Sequence, residues 1–411
     1  MTLIRPFRGL RPAKGRGDDV LAPPYDVLSS AEAREQAKGK PYSFLHISKP
    51  EIDLPADISP YDEKVYAMAA SNMAMLVDKK LLLQEESPSY YAYRLTWGEV
   101  EMTGLVAAAS VADYNTNRIR KHEYTRPVKE DDRVRQIDAV NAQTGPVMLA
   151  YPQAPQIDAL IQAATRGEAE MDVTGGDGVR HQLWVIQEEE AIEALSNRFE
   201  ALPAIYIADG HHRSASAARI SASRGGDEDA IHHSFLSVIF PHHEMKILDY
   251  NRLLKDLNGL SVEEFLSAIG DSFEVVKSDS PVKPTGVGHF GMYVAGQWYE
   301  LVINPKLIPD DPVKSLDISL LSKYLIEPLL GVMDPRKDDR IDFVGGIRGV
   351  EELATRVDSG DWAVAFSLYA TSMEALMAVA ESGQVMPPKS TWFEPKLADG
   401  VVSLIFDQTM G

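Results

Sequence analysis

A mixed α/β fold of the α+β kind, with more than one domain, is what this sequence predicts, and three observations predict it. Short runs rich in β-branched and aromatic residues, such as Tyr90–Trp97 and Ser234–Phe240, alternate with longer segments of helical period, such as Tyr61–Lys80. Hairpin signals join some neighbouring strands. At 411 residues the chain exceeds what one core usually serves and has room for two or three domains.

The elements follow in order. Pro23 and Pro24 hold the backbone extended, and Ser29 or Ser30 caps a helix opening at Ala31-Glu32-Ala33-Arg34. Val65, Met68, Ala69, Met73, Leu76 and Val77 recur at helical spacing within 61–80. Tyr90–Trp97 and Gly104–Val111 read as strands joined through Gly98-Glu99-Val100-Glu101, and further strands are expected at Val147–Tyr151, Leu183–Gln187 and Ser234–Phe240. Ser261 opens a capped helix, and Phe290–Leu301 is a hairpin turning at Ala295-Gly296. Asp317–Leu325 is an amphipathic helix that Pro328 should stop. A boundary near 250 separates a first domain, 1–250, from a second, 251–411, with Ser278–Gly288 an equally good linker.

Composition narrows the function classes. The chain is 45% hydrophobic and 25% charged, ordinary for a soluble globular protein. Its net charge of −20 argues against a general nucleic-acid binder, though a local basic pocket for a small anion is compatible with it. The absence of cysteine excludes disulfides, thiol catalysis and Cys-ligated metals. No apolar run approaches the roughly 20 residues that span a bilayer, and the first residues lack the apolar core of a signal peptide. The expectation is a cytoplasmic protein without membrane contact, and a homodimer is left open.

The richest chemistry lies at Ile205-Tyr206-Ile207-Ala208-Asp209-Gly210-His211-His212-Arg213-Ser214, a buried strand running through a polar turn into an Ala-rich helix. The first N–H groups of a helix lack internal partners, and the macrodipole adds partial positive charge there. Gly210 permits positive φ and close approach of a ligand to the backbone. Arg213 offers a bidentate phosphate donor, while His211 and His212 donate or shuttle protons near neutral pH. Asp209 would face the phosphate or its metal.

A second cluster is Arg118-Ile119-Arg120-Lys121-His122-Glu123-Tyr124-Thr125-Arg126. A zinc-protease motif is excluded, since Arg126 stands where His-Glu-x-x must end in His. Glu123, flanked by Lys121, His122 and Arg126, is placed to stay ionised and act as a general base. A third cluster, Met386-Pro387-Pro388-Lys389-Ser390-Thr391-Trp392-Phe393-Glu394-Pro395-Lys396, with Gly383 almost completes a phosphate loop. Pro388 occupies its second glycine position and cannot serve there, yet Lys389, Ser390 and Thr391 still offer a cation and two hydroxyls. The histidine pairs at 211/212, 232/233 and 242/243 match no metal-ligand spacing.

Taken together, Arg5-Pro6-Phe7, Ala22-Pro23-Pro24-Tyr25-Asp26-Val27, His122-Glu123, Asp209-Gly210-His211-His212-Arg213 and Met386–Thr391 resemble the bacterial and archaeal family catalogued as domain of unknown function 1015. The motifs run in the same order from the first residues nearly to the last. That family is in turn similar to the ParB/sulfiredoxin superfamily, which implies a ParB/sulfiredoxin-like nucleotide-binding core with large insertions and a C-terminal α+β region whose last segment returns Lys389–Thr391 to the site. The resemblance implies a phosphate-binding turn at Gly210-His211-His212-Arg213, with Ser214 next to it, and an acidic position upstream. Asp26 is a rival to Glu123 for that position. Sulfinic acid reductase chemistry is excluded, because the cysteine it needs is absent. Leu248-Asp249-Tyr250-Asn251-Arg252 departs from the family's Pro-Thr-His-Arg-like element, so the role of its histidine is either missing here or supplied by His242 or His243.

Two functions compete. One is a nucleotide-dependent phosphotransferase using ATP, ADP or CTP with Mg2+ to phosphorylate a small hydroxyl-bearing metabolite such as serine. Asp209 would hold the metal, Glu123 or Asp26 would be the base, His212 would assist, and Gly210, His211, Arg213, Ser214, Lys389, Ser390 and Thr391 would bind phosphate. The other is a ParB-like nucleotide-binding regulator, or an NTP hydrolase without a metabolite substrate.

Overall fold

A computed structural model describes residues 2–406. Among them are thirteen α-helices and several sheets, a mixed α/β architecture. The chain forms two compact units: one runs to Met245 and resumes at Pro395, and the other is Lys246–Glu394. No helix among the described residues is long and apolar enough to cross a membrane.

The first unit is built on a nine-stranded sheet. Its order is Ile119–Arg120, Ile205–Asp209, Val147–Tyr151, Ser234–Pro241, Val100–Ser110, Tyr90–Trp97, Arg180–Ile186 and Met171–Thr174, with Ile4–Arg5 also on Val100–Ser110. Val147–Tyr151 and Ser234–Pro241 are buried at every position, which explains their largely apolar sequences; the buried Ser237 hydroxyl donates to the Ala107 carbonyl. Leu105, Leu149, Phe199, Ile207 and Phe235 lie together in the core of this unit.

Register fixes where the chemistry sits. Ile205 pairs with Ile119 and Tyr206 with Arg120 in parallel, so the chain leaving Arg120 emerges beside the end of the Ile205–Asp209 strand. Asp209 pairs with Met148 in antiparallel fashion, after a register shift between Ile207 and Asp209. The start of Val147–Tyr151 therefore shares that end too. Since Ser234–Pro241 runs parallel to Val147–Tyr151, with Pro241 opposite Tyr151, His242 and His243 leave the sheet at its other end. They cannot stand in for a histidine beside Asp209.

A four-stranded sheet completes this unit, in the order Leu82–Gln84, Gly9–Pro12, Ser403–Ile405, Ala142–Gln143. The late strand is thus inserted between two early ones. Just before it, Ala22 and Asp399 exchange backbone hydrogen bonds of 3.1 and 2.9 Å. This pairing brings the residues after Pro395 back to the N-terminal Pro23-Pro24-Tyr25-Asp26 segment.

The second unit is a six-stranded antiparallel sheet ordered Phe273–Ser278, Gln297–Ile303, His289–Val294, Val364–Leu368, Tyr250–Leu254, Ile341–Gly345. Its entry and exit strands, Lys246–Leu248 and Trp392–Glu394, pair with each other. The hairpin turns at Ala295 and Gly296, both at positive φ (50° and 78°). Ser261 and Glu264 form a reciprocal capping box, as do Ser29 and Glu32, so Ser29 is the cap and Ser30 the first helical residue. Pro328 does not stop its helix. Asp317–Leu321 is α-helical, and the chain then widens into a π-helix over Ser322–Leu330 that contains Pro328. Proline lacks the N–H for any helical ladder and its ring crowds the carbonyl one α-turn back, yet the chain winds past it in the π geometry and ends at Gly331.

Candidate functional site

The Ile205–Asp209 strand ends in Gly210, whose φ of 95° makes it the cap of the His211–Arg224 helix. A β-carbon here would stand 3.3 Å from both the Arg213 guanidinium carbon and the Val147 α-carbon. Glycine is required twice over, for conformation and for room. The first N–H groups of the long helix open beside it.

Asp209 is half-buried. Its Oδ1 accepts the Gly210 N–H at 2.9 Å, and its Oδ2 lies 3.4 Å from Lys396 Nζ and 4.0 Å from Arg213. Burial by itself would push this carboxyl up, but Lys396 ahead of Arg213 holds it well below the usual carboxylate range. Lys396, the last residue of the third cluster, arrives on the returning chain and, rather than Lys389, is the lysine beside Asp209.

Arg213 is not an open phosphate hook. It donates to the Pro146 carbonyl and, at 2.9 Å, to Asp26 Oδ2. Burial works against its charge, yet Asp26 and Asp209, with Tyr25 and Asp399, keep its proton more tightly held than usual. Arg213 therefore spans from Asp209 to Asp26, which makes it a structural link between the two acidic positions. Asp399, 2% exposed, accepts the Tyr25 N–H at 3.2 Å. Burial pushes its carboxyl up to about 7, against the opposing pull of Arg213. Gly145 abuts the same group, since a β-carbon there would lie 3.4 Å from Arg213 and 3.7 Å from Asp399.

The second cluster meets the turn through its histidines. The His122 and His211 rings cross at 4.4 Å and 87°, and the His122 N–H donates to His211 Nε2 at 3.4 Å. Glu123 Oε2 lies 3.8 Å from His211 Nδ1. The Arg126 N–H donates to His212 Nε2 at 3.0 Å, so His212 holds the loop against the helix. Burial pulls His122 down to about 4 and His211 well below its ordinary value, so both are neutral at pH 7. This corrects the electrostatic argument for Glu123: His122 supplies no charge, and Lys121 lies over the Tyr114 ring at 4.0 Å. Glu123 itself is exposed, as is Asp26.

Ser214 is fully buried and donates to the His211 carbonyl at 3.0 Å, which turns it inward, away from any ligand at the turn. Lys389, Ser390 and Thr391 belong to the second unit. There the Lys389 carbonyl accepts from Arg252, the Ser390 hydroxyl donates to Pro387, and the Ser390 carbonyl accepts from Thr371.

Two groups bear on metal binding. Asp209 presents one carboxylate, enough for a hard cation such as Mg2+ only where phosphate oxygens complete its shell. His122, Glu123 and His211 bring three ligand atoms within 4.8 Å of one another. His211 Nε2 already accepts the His122 N–H, which leaves its ring proton on Nδ1, toward Glu123. The trio is only partly satisfied: at 3.8 Å Glu123 is beyond hydrogen-bond distance of His211, and the buried His122 Nδ1 has no hydrogen-bond partner among the described residues.

With the site in view, comparison places the chain. It belongs to the family described as "Protein of unknown function (DUF1015)", whose model matches residues 4–319. No curated protein matches it. Solved structures similar to it include a free serine kinase variant in complex with AMP, at 13% identity and a TM-score of 0.36, covering 71% of this chain and 87% of that one. A conserved hypothetical protein from Pyrococcus furiosus is 16% identical with a TM-score of 0.34, covering 72% and 93%. SbnI from Staphylococcus aureus, truncated at its C-terminus, is 10% identical with a TM-score of 0.36, covering 72% and 85%.

Proposed function

We propose that the Gly210 turn binds the phosphates of a nucleotide and that the protein transfers a phosphoryl group to a small hydroxyl-bearing metabolite such as serine. One observation carries this reading. A deprotonated carboxylate, Asp209, and a lysine, Lys396, stand 3.4 Å apart at the mouth of a helix N-terminus opened by a glycine at positive φ. Phosphoryl transfer needs cationic donors on the phosphates and an oxygen ligand for a metal, and little covalent help from the protein. Lys396 and the first N–H groups of the helix supply the donors. Asp209 is the oxygen donor that suits Mg2+, which when bound neutralises charge on the phosphate oxygens. The turn also supports a ParB/sulfiredoxin-like assignment for this unit.

In the transfer, the substrate hydroxyl oxygen bonds to the terminal phosphorus as the bond to the bridging oxygen breaks, and the hydroxyl proton passes to a carboxylate. Glu123, beside His211, is our assignment for that base, with Asp26 across Arg213 as its rival. Turnover of ATP, ADP and CTP with Mg2+, measured with and without serine and other hydroxy amino acids, tests the reading. A phosphorylated amino acid is the expected product. Release of phosphate without one would make the protein a hydrolase, and no turnover of any nucleotide would leave a binding regulator.

A further inference from the structure

Two buried histidines and a half-exposed carboxylate converge beside the Gly210 turn. His122, 2% exposed, and His211, 4% exposed, cross their rings at 4.4 Å, and Glu123 Oε2 stands 3.8 Å from His211 Nδ1. One ligand atom from each of the three lies within 4.8 Å of the others. His122 Nδ1 is buried and has no hydrogen-bond partner among the described residues. A buried polar atom left in that state is costly and rare in folded proteins.

Each ring is prepared for a metal ion in its own way. The His122 ring bonds the Ile207 carbonyl, and since Nδ1 has no partner, that bond belongs to Nε2. Nε2 therefore carries the proton and Nδ1 a bare lone pair, the arrangement of a metal-binding histidine oriented by a backbone carbonyl. Between His211 Nδ1 and Glu123, 3.8 Å is too long for a hydrogen bond. It is close to the separation of about 3.4 Å between ligand atoms around a tetrahedral ion with bonds of about 2.0–2.1 Å. The ion takes the place of the Nδ1 proton, which moves to Nε2 at the cost of the 3.4 Å contact with the His122 N–H. Asp209 adds negative charge to the field at both rings, and Arg213, which opposes a cation at His211, is itself met by Asp26.

We propose that His122, His211 and Glu123 form a site for a divalent transition-metal ion of the Zn2+ type. Two imidazoles and one carboxylate suit Zn2+ better than Mg2+, which prefers oxygen ligands. Three protein ligands leave a further position for water or a bound molecule. This ion is distinct from the Mg2+ proposed for Asp209, and its site does not rest on the nucleotide reading. While the ion is bound Glu123 is a ligand, so it acts as a base only in the ion-free protein.

Calorimetric titration of ZnCl2 and of MgCl2 into the full chain without nucleotide tests this, with X-ray absorption at the zinc edge to count imidazoles. Zn2+ should bind saturably with a pair of imidazoles in its shell, and Mg2+ should bind more weakly. His122→Ala and Glu123→Gln should each weaken Zn2+ by about tenfold or more, the loss of a ligand. Glu123 is half-exposed, so its variant carries the test if His122→Ala does not unfold cooperatively. Replacing His242 and His243 together by alanine should leave Zn2+ affinity as in wild type, which separates the site from binding at other histidine pairs. No saturable Zn2+ binding, unchanged affinity in Glu123→Gln or in folded His122→Ala, loss of binding on replacing His242 and His243, or Mg2+ bound more tightly than Zn2+ would each overturn the proposal.

Discussion

The two units bury arginine in opposite ways. In the first, Arg213 is met by Asp26 at 2.9 Å and Asp209 at 4.0 Å, and Asp399 adds to the field. In the second, Arg252 has only carbonyl oxygens and aromatic rings. A buried cation whose counter-charges come from its own chain is a fixed part of the fold. Removing it strands carboxylates. A buried cation met only by carbonyl oxygens and rings keeps its charge against uncompensated desolvation, and its pKa falls to about 9.

The largest effect should come from breaking the paired arginine. Arg213→Ala leaves Asp26 and buried Asp399 without their cation and should destabilise the first unit by about 3–5 kcal/mol in urea unfolding. A cost near zero would mean that Arg213 is held less tightly than its contacts require. Glu123→Gln should lower turnover by about 10²–10⁴-fold with nucleotide affinity nearly unchanged. If turnover instead survives that change and collapses in Asp26→Asn, the base lies on the Arg213 side of the turn.

Smaller effects sharpen the contrast. Asp399, with its carboxyl raised to about 7, binds a proton more tightly folded than unfolded. Its contribution to stability therefore falls as pH rises from about 4 toward 7. Asp209, held down by Lys396 and Arg213, acts in the other direction, contributing stability above the ordinary carboxylate range and losing it as pH falls. Asp399→Asn should flatten the decline between pH 4 and 7, which unfolding curves at several pH values would show. An unchanged slope would remove Asp399 as its source. Smallest is Arg252→Met, which gives up two hydrogen bonds but relieves an unpaired buried charge, and should cost about 1 kcal/mol or less. A loss as large as that of Arg213→Ala would erase the contrast.

Local pattern made much of this legible. The capping residues Ser29 and Ser261, the turn at Ala295-Gly296 and the buried runs 147–151 and 234–240 each announce themselves within a few residues. Asp209-Gly210 likewise signals its helix start, because glycine at a strand-to-helix turn has a local cause. Lys396 and Asp399 gave no such signal. They reach the turn because Ser403–Ile405 slots between Gly9–Pro12 and Ala142–Gln143, a pairing across almost the whole chain. Arg213 looked like a phosphate donor because its carboxylate partner lies 187 positions away. At Glu123 adjacency in sequence counted one cation too many, since burial keeps His122 neutral. Pro328 misled for another reason: the chain leaves α geometry at Ser322, six residues before the proline, and winds past it as a π-helix.

The account's central claim is that Lys396 and the Gly210 turn hold nucleotide phosphates, and calorimetric titration of ATP, ADP and CTP with Mg2+ into wild type and Lys396→Met tests it most directly. Saturable binding of at least one nucleotide to wild type, weakened in the variant by about 1.5–3 kcal/mol, is the predicted result, the loss expected for a charge-assisted hydrogen bond. Equal affinities in the two proteins, or no binding of any of the three nucleotides to wild type, would contradict it.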